Sequence, residues 1–164
     1  MRFLATIAVL AALTGCMATA VKITAPFDAA QAQTLLAPGK NTITGSALIK
    51  RQDGIAVTCA GAEVQLIPAT AYATQRITAI YGNAERGRAR NRVEFDNNDP
   101  AYQSLIRKTT CNAQGFFTFR EVADGEFFIL TSVVWTVGYN TQGGHLMQRV
   151  RVTGGQTQEV VLAP

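Results

Sequence analysis

Residues 116–135 read FFTFREVADGEFFILTSVVW, and this stretch decides the fold. Phe117 and Phe119 alternate to one face of a strand beginning at Phe116. Ala123-Asp124-Gly125 is a turn, with Gly125 supplying a positive φ. The run from Glu126 through Trp135 is a second, long strand. Asp-Gly between two aromatic strands predicts a β-hairpin.

Turn signals divide the chain on either side of this pair. Upstream, residues 42–49 read as a strand followed by the turn Gln52-Asp53-Gly54. In 61–68, Ala62, Val64 and Leu66 face one way, and Pro68 ends the strand. In 70–82 the period changes: Ala73, Ile77, Ile80 and Tyr81 share a helical face, Thr70 caps its start and Gly82 ends it. Residues 83–100 are polar and charged and read as a loop or irregular hairpin, and 102–110 as a strand. Downstream, Thr141-Gln142-Gly143-Gly144 reads as a turn, and 146–153 and 157–162 as strands joined by Gly154-Gly155. About seven strands meandering through short turns predict an all-β sandwich with one short helix.

The N-terminus carries an address. Arg2 is followed by LATIAVLAAL, ten residues without a charge, and then by small residues. That is the layout of a secretory signal. The apolar run would span roughly 15 Å as a helix, half of a hydrocarbon core of about 30 Å. No other stretch is both long and apolar enough to span a bilayer as a helix. Ala18-Thr19-Ala20 offers an ordinary cleavage site. Leu13-Thr14-Gly15-Cys16, however, resembles the bacterial lipobox at all four positions. That resemblance implies cleavage before Cys16 and lipidation of its thiol, with chains that hold far beyond the grip of a single acyl group. Met17, rather than Asp, after the cysteine implies the outer membrane, facing the periplasm. The expected organisation is a signal segment over 1–15 and a lipidated tether over 16–40, with a short helix within 27–36. A sandwich domain follows over 41–164.

The chain has 164 residues, a net charge of +4, and only 16% charged residues. A sequence pI near 9.2 in an envelope protein fits anionic lipid headgroups or glycans better than nucleic acid. Apart from Cys16, two cysteines remain. In an oxidising compartment Cys59 and Cys111 are an even pair expected to form a disulfide; two buried free thiols are the alternative. One histidine and two cysteines fall short of a zinc site.

Three further runs carry a family resemblance. Residues 61–66 (GAEVQL), 110–119 (TCNAQGFFTF) and 122–129 (VADGEFFI) resemble motifs of carboxypeptidase regulatory-like and other transthyretin-like domains, and 150–162 resemble their closing strands. The likeness covers about residues 43–163. It implies a seven-stranded prealbumin-like sandwich acting as a binding, folding or assembly module, without catalysis or a cofactor. An insertion at about 70–101 departs from the pattern. A lipobox joined to a transthyretin-like sandwich is also the architecture of the type VI secretion outer-membrane lipoprotein; that likeness extends to architecture alone.

Candidate sites are few. Arg86, Arg88, Arg90 and Arg92 recur at period two and would line one face of an extended segment. Such a stripe suits phosphate, a glycan carboxylate or an acidic partner; the alternative is a solvated loop neutralised by Glu94, Asp96 and Asp99. The run Asp96-Asn97-Asn98-Asp99 lacks the ligand spacing of a calcium loop and reads as a turn before Pro100. His145, the only histidine, has no serine-hydrolase signature near it and reads as an exposed residue beside a turn. Trp135, Tyr139 and Phe128 are either a ligand-facing aromatic patch or sandwich core. The expected function is a non-enzymatic, lipid-anchored module with an envelope protein partner; a glycan- or small-ligand-binding protein is the alternative.

Overall fold

The computed structural model describes residues 19–90 and 92–164. The lipobox, Cys16 and the signal segment lie outside the described residues. Two sheets face each other. One has the order β5 (Arg86–Arg88), β10 (Asn140–Val152), β9 (Gly125–Val137), β4 (Glu63–Pro68), β7 (Arg107–Thr110), with every neighbour antiparallel. The other is centred on β2 (Asn41–Lys50). There β11 (Thr157–Leu162) runs parallel to it, while β8 (Phe116–Val122) and β3 (Ala56–Thr58) pair antiparallel with its first and last residues. β1 (Thr19–Val21) and β6 (Val93–Phe95) form a small parallel pair. The all-β sandwich is present, but with eleven strands among the described residues rather than seven. The additional four are three-residue strands, too short to carry an apolar alternation.

The Asp124-Gly125 hairpin is not formed. β8 pairs with β2, whereas β9 pairs with β10 and β4, so the turn carries the chain from one sheet to the other. Distant partners redirect it. The Asp124 carboxylate accepts hydrogen bonds from Asn41 Nδ2 (2.8 Å), Gly154 N (3.0 Å) and Thr153 Oγ1 (3.3 Å). Asn41, fully buried, also donates to Val122 O (2.9 Å) and accepts from Gly155 N (2.8 Å) and Gln156 N (3.0 Å). One asparagine thus ties together the β8–β9 and β10–β11 crossings. Gly125 serves a close approach as well as a turn: a Cβ there would stand 2.5 Å from Leu35 Cδ2.

Between the sheets lie Ile43, Val64, Leu66, Phe117, Phe119, Phe127, Ile129, Val133 and Leu162, all buried. The Cys59–Cys111 disulfide is formed, with Cα atoms 5.8 Å apart across 52 residues of sequence. It joins the end of β3 to the end of β7, and hence one sheet to the other.

The five-stranded sheet is buried on its second face too, which explains the unbroken apolar run in β9. Phe128 and Met147 face α2 (Ala71–Tyr81). Thr70 and Gly82 cap this helix as expected, Thr70 Oγ1 accepting from Ala73 N and Gly82 adopting φ 77°. The 83–100 segment is not a hairpin, because β5 joins β10 and β6 joins β1. A one-turn α3 (Pro100–Ser104) occupies the start of the expected 102–110 strand, leaving β7 shorter. From Thr19 onward the expected tether is part of the packed domain: Ile23 is 2% exposed, and α1 (Ala29–Leu36), capped by Asp28, lays Leu35 on Gly125.

Candidate functional site

β9 and β10 are each 13 residues long and outrun the facing sheet. β9 is buried as far as Val133, after which its side chains emerge. The overrunning pair and the turn after β2 enclose an open cleft of about 710 Å³, lined by Ile49 to Asp53, Arg88, Trp135, Val137 and Thr141 to Gly143. Trp135 follows Val133 on the inner face, so its ring closes the end of the sandwich core on one side and lines the cleft on the other. Its Nε1 donates to Gln142 Oε1 across the β9–β10 pair (3.1 Å), which fixes the ring.

The expected turn at 141–144 is displaced. Val137 pairs with Asn140, so the reversal falls at Gly138-Tyr139, and β10 runs straight through Gly143 and Gly144. These two glycines form a bare stretch of backbone. A Cβ on Gly143 would meet Val133 O at 2.0 Å and Trp135 Cζ3 at 3.0 Å; one on Gly144 would meet Arg88 Nε at 2.6 Å. Trp135 and Arg88 lie across the space the missing side chains leave. Arg88 is secured there by donating from Nη2 to Gly143 O. The pair of glycines signalled this platform in the sequence, but resembled a turn because reversals use the same residue.

The turn after β2 supplies the opposite wall. Arg51 and Asp53 form an ion pair (2.7 Å), and Asp53 also accepts from Ile55 N (3.1 Å). Gln52, Thr141 and Gln142 add amide and hydroxyl groups. Lys50 and Arg88 have no carboxylate within 4 Å among the described residues.

The arginine stripe is partly assembled. Arg88 sits opposite Leu146 and Arg86 opposite Gln148, so both project to one side of β5. Together with Arg90 they line a second cavity of about 380 Å³ beside Tyr81 and Asn83, and Arg88 borders both cavities. Arg92 lines neither. Glu94, Asp96 and Asp99 form no ion pair with these arginines among the described residues.

The remaining candidates separate. Asp99 caps α3, Asn97 holds the backbone of Ile23 through two hydrogen bonds, and Asn98 accepts from Arg76 (2.7 Å). Among the described residues no group of three or more metal-ligating side chains exists. His145 is exposed on the outer face opposite Ser132. Of the three aromatics, Phe128 is buried under α2, Tyr139 stands fully exposed at the hairpin tip, and only Trp135 lines the cleft. Sequence reasoning missed Arg76. Its guanidinium carbon lies 3.8 Å from the Phe95 ring centroid and 5.0 Å from that of Tyr102, and it clamps the insertion together. Burial pushes the Tyr102 hydroxyl up to about 12, against the opposing pull of Arg76.

No family model matches this chain, and no curated protein does either. Among solved structures, the fold is similar to the crystal structure of a Pseudomonas aeruginosa protein described as a "putative carbohydrate binding protein". The TM-score is 0.67 and the identity 25%, over 84% of this chain and 97% of that one.

Proposed function

We propose that this chain is a glycan-binding module of the bacterial envelope, without catalytic activity, held to the outer membrane by lipid on Cys16 and facing the periplasm. Its finer fold assignment in this reading is a transthyretin-like sandwich with additional edge strands and an insertion. The carrying observation is Trp135. A sugar ring offers one apolar C–H face and a rim of hydroxyls. An indole held edge-on by Gln142 and surrounded by Gln52, Asp53, Thr141 and Arg88 offers the complement, an apolar plate within a fence of hydrogen-bonding groups. The likeness to a protein described as carbohydrate-binding supports the same reading.

Trp135 is the only tryptophan in the chain, so tryptophan emission, excited selectively over the tyrosines, reports on the cleft alone. Titration of the full chain with an oligosaccharide panel is expected to give a saturable change in that emission. Trp135→Ala should lose binding at least tenfold by calorimetry, in line with a buried aromatic contact of more than about 1.4 kcal/mol. Binding that survives Trp135→Ala unchanged would remove the cleft from the proposal.

The reading of the domain as an assembly module draws on a different surface. On the outer face of the four-stranded sheet, Phe116 and Val161 flank Ser46 in one row across three strands, each about half exposed. An apolar row on an uncovered sheet face suits an envelope protein partner.

A further inference from the structure

We infer that the ligand of the Trp135 cleft is an acidic glycan chain that runs from the cleft across the edge strand β5, its acid groups received by Arg88 and, in the adjoining cavity, by Arg86 and Arg90. This rests on the glycan-binding reading above and adds the class of sugar.

Two observations carry it. The first is charge. Lys50, Arg51 and Arg88 line the cleft against one carboxylate, Asp53, which Arg51 already pairs. Arg86 on β5 and Arg90 just beyond it are exposed and, among the described residues, form no ion pair. Glu85, the acid nearest in sequence, is engaged by Arg149 at 3.6 Å on the far side. A neutral sugar has no use for this excess, whereas guanidinium groups match carboxylate and sulfate with paired N–H donors.

The second is continuity. Arg88 borders both the cleft and the cavity lined by Arg86 and Arg90, so the two are neighbouring stations along one path. Side chains two residues apart on one side of a strand stand roughly 6.6 Å apart. That spacing lets acid groups carried at intervals along one chain be met in turn. The register of β5 on β10, with Gly87 between the two arginines, keeps Arg86 and Arg88 on the same side. The Arg86–Arg88 spacing is therefore built by backbone pairing, and Arg90 follows β5 with its N–H donated to Ile80 O.

The test uses the full chain in detergent. Its probes are oligogalacturonate, hyaluronan fragments and heparin fragments; methyl-esterified oligogalacturonate and cellohexaose are the neutral counterparts. At least one acidic oligomer is expected to bind in a salt-sensitive manner. Its neutral counterpart should bind at least about tenfold more weakly, as loss of one or two charge-assisted hydrogen bonds requires. The double variant Arg86→Gln/Arg90→Gln should weaken the acidic probe and leave the neutral one unchanged. Equal binding of acidic and neutral probes, both lost in Trp135→Ala, would overturn the acidic class and leave the glycan-binding reading standing. If no oligosaccharide binds while vesicles containing phosphatidylglycerol do, both readings fall and the arginines serve a lipid surface.

Discussion

At the scale of single residues, the chemistry divides between the two ends of the sandwich. At the cleft end, Gly143 and Gly144 supply absence, and Trp135 and Arg88 fill it. At the other end, Asp124 supplies a charge to which three donors converge. The Asn41 amide is the strongest influence holding its carboxyl below the usual aspartate range; desolvation opposes it, and Gly154 N, Thr153 and the nearby Lys40 assist. A carboxyl whose pKa is lowered by folding stabilises the fold fully above its unfolded value and loses that contribution as pH falls through the lowered one. Asp124→Asn should therefore be less stable than the parent near neutrality, and the gap should narrow below about pH 4. Urea unfolding of both proteins across that range measures it, and a gap that stays constant with pH would refute the assignment. The sequence identified Asp124-Gly125 as a turn but not its direction. Its decisive partners lie 83 residues upstream at Asn41 and 30 downstream at Gly154, beyond the reach of any local signal.

At the scale of elements, what could be read was what repeats. β2, β4, β8 and β11 carry two-residue alternation, β9 a continuous apolar run, and α2 a helical face between two caps; all stand within a few residues of expectation. What escaped was pairing. β3, β5 and β6 are three residues long and owe their conformation to a neighbour, not to their own composition. The arginine alternation was legible because two-residue spacing is itself a strand signal, yet only the pairing of β5 with β10 sets Arg88 on the Trp135 cleft and Arg86 on the cavity next to it. The disulfide acts at this scale too, bolting two edge elements of different sheets, β3 and β7. Replacing both Cys59 and Cys111 with alanine should lower unfolding stability by about 2–4 kcal/mol. Amide exchange is expected to quicken first along those edges. A loss under about 0.5 kcal/mol in urea titration would mean that the sheets hold each other without it.

At the scale of the whole molecule, the domain is a sandwich with a second small core on its back. Phe27, Tyr72 and Tyr102 meet there at centroid distances of 5.2 to 5.7 Å, with Arg76 against the two tyrosines. Residues 19–27 thereby belong to the folded body, so the expected lipid attachment point, Cys16, precedes β1 closely in sequence. Cys16→Ser is expected to release the protein from membrane fractions and abolish labelling by a radioactive fatty acid; unchanged attachment would contradict the lipobox reading. The parallel pairing of β2 with β11 has a consequence in time. Thr42 takes its place beside Thr157, so the central strand of the four-stranded sheet waits for a partner far downstream in the sequence. Emerging end first from a ribosome or a translocation pore, the chain has no complete sandwich to form until β11 is free. Local helices such as α2 can form at once, but closure of the body is a late, single event.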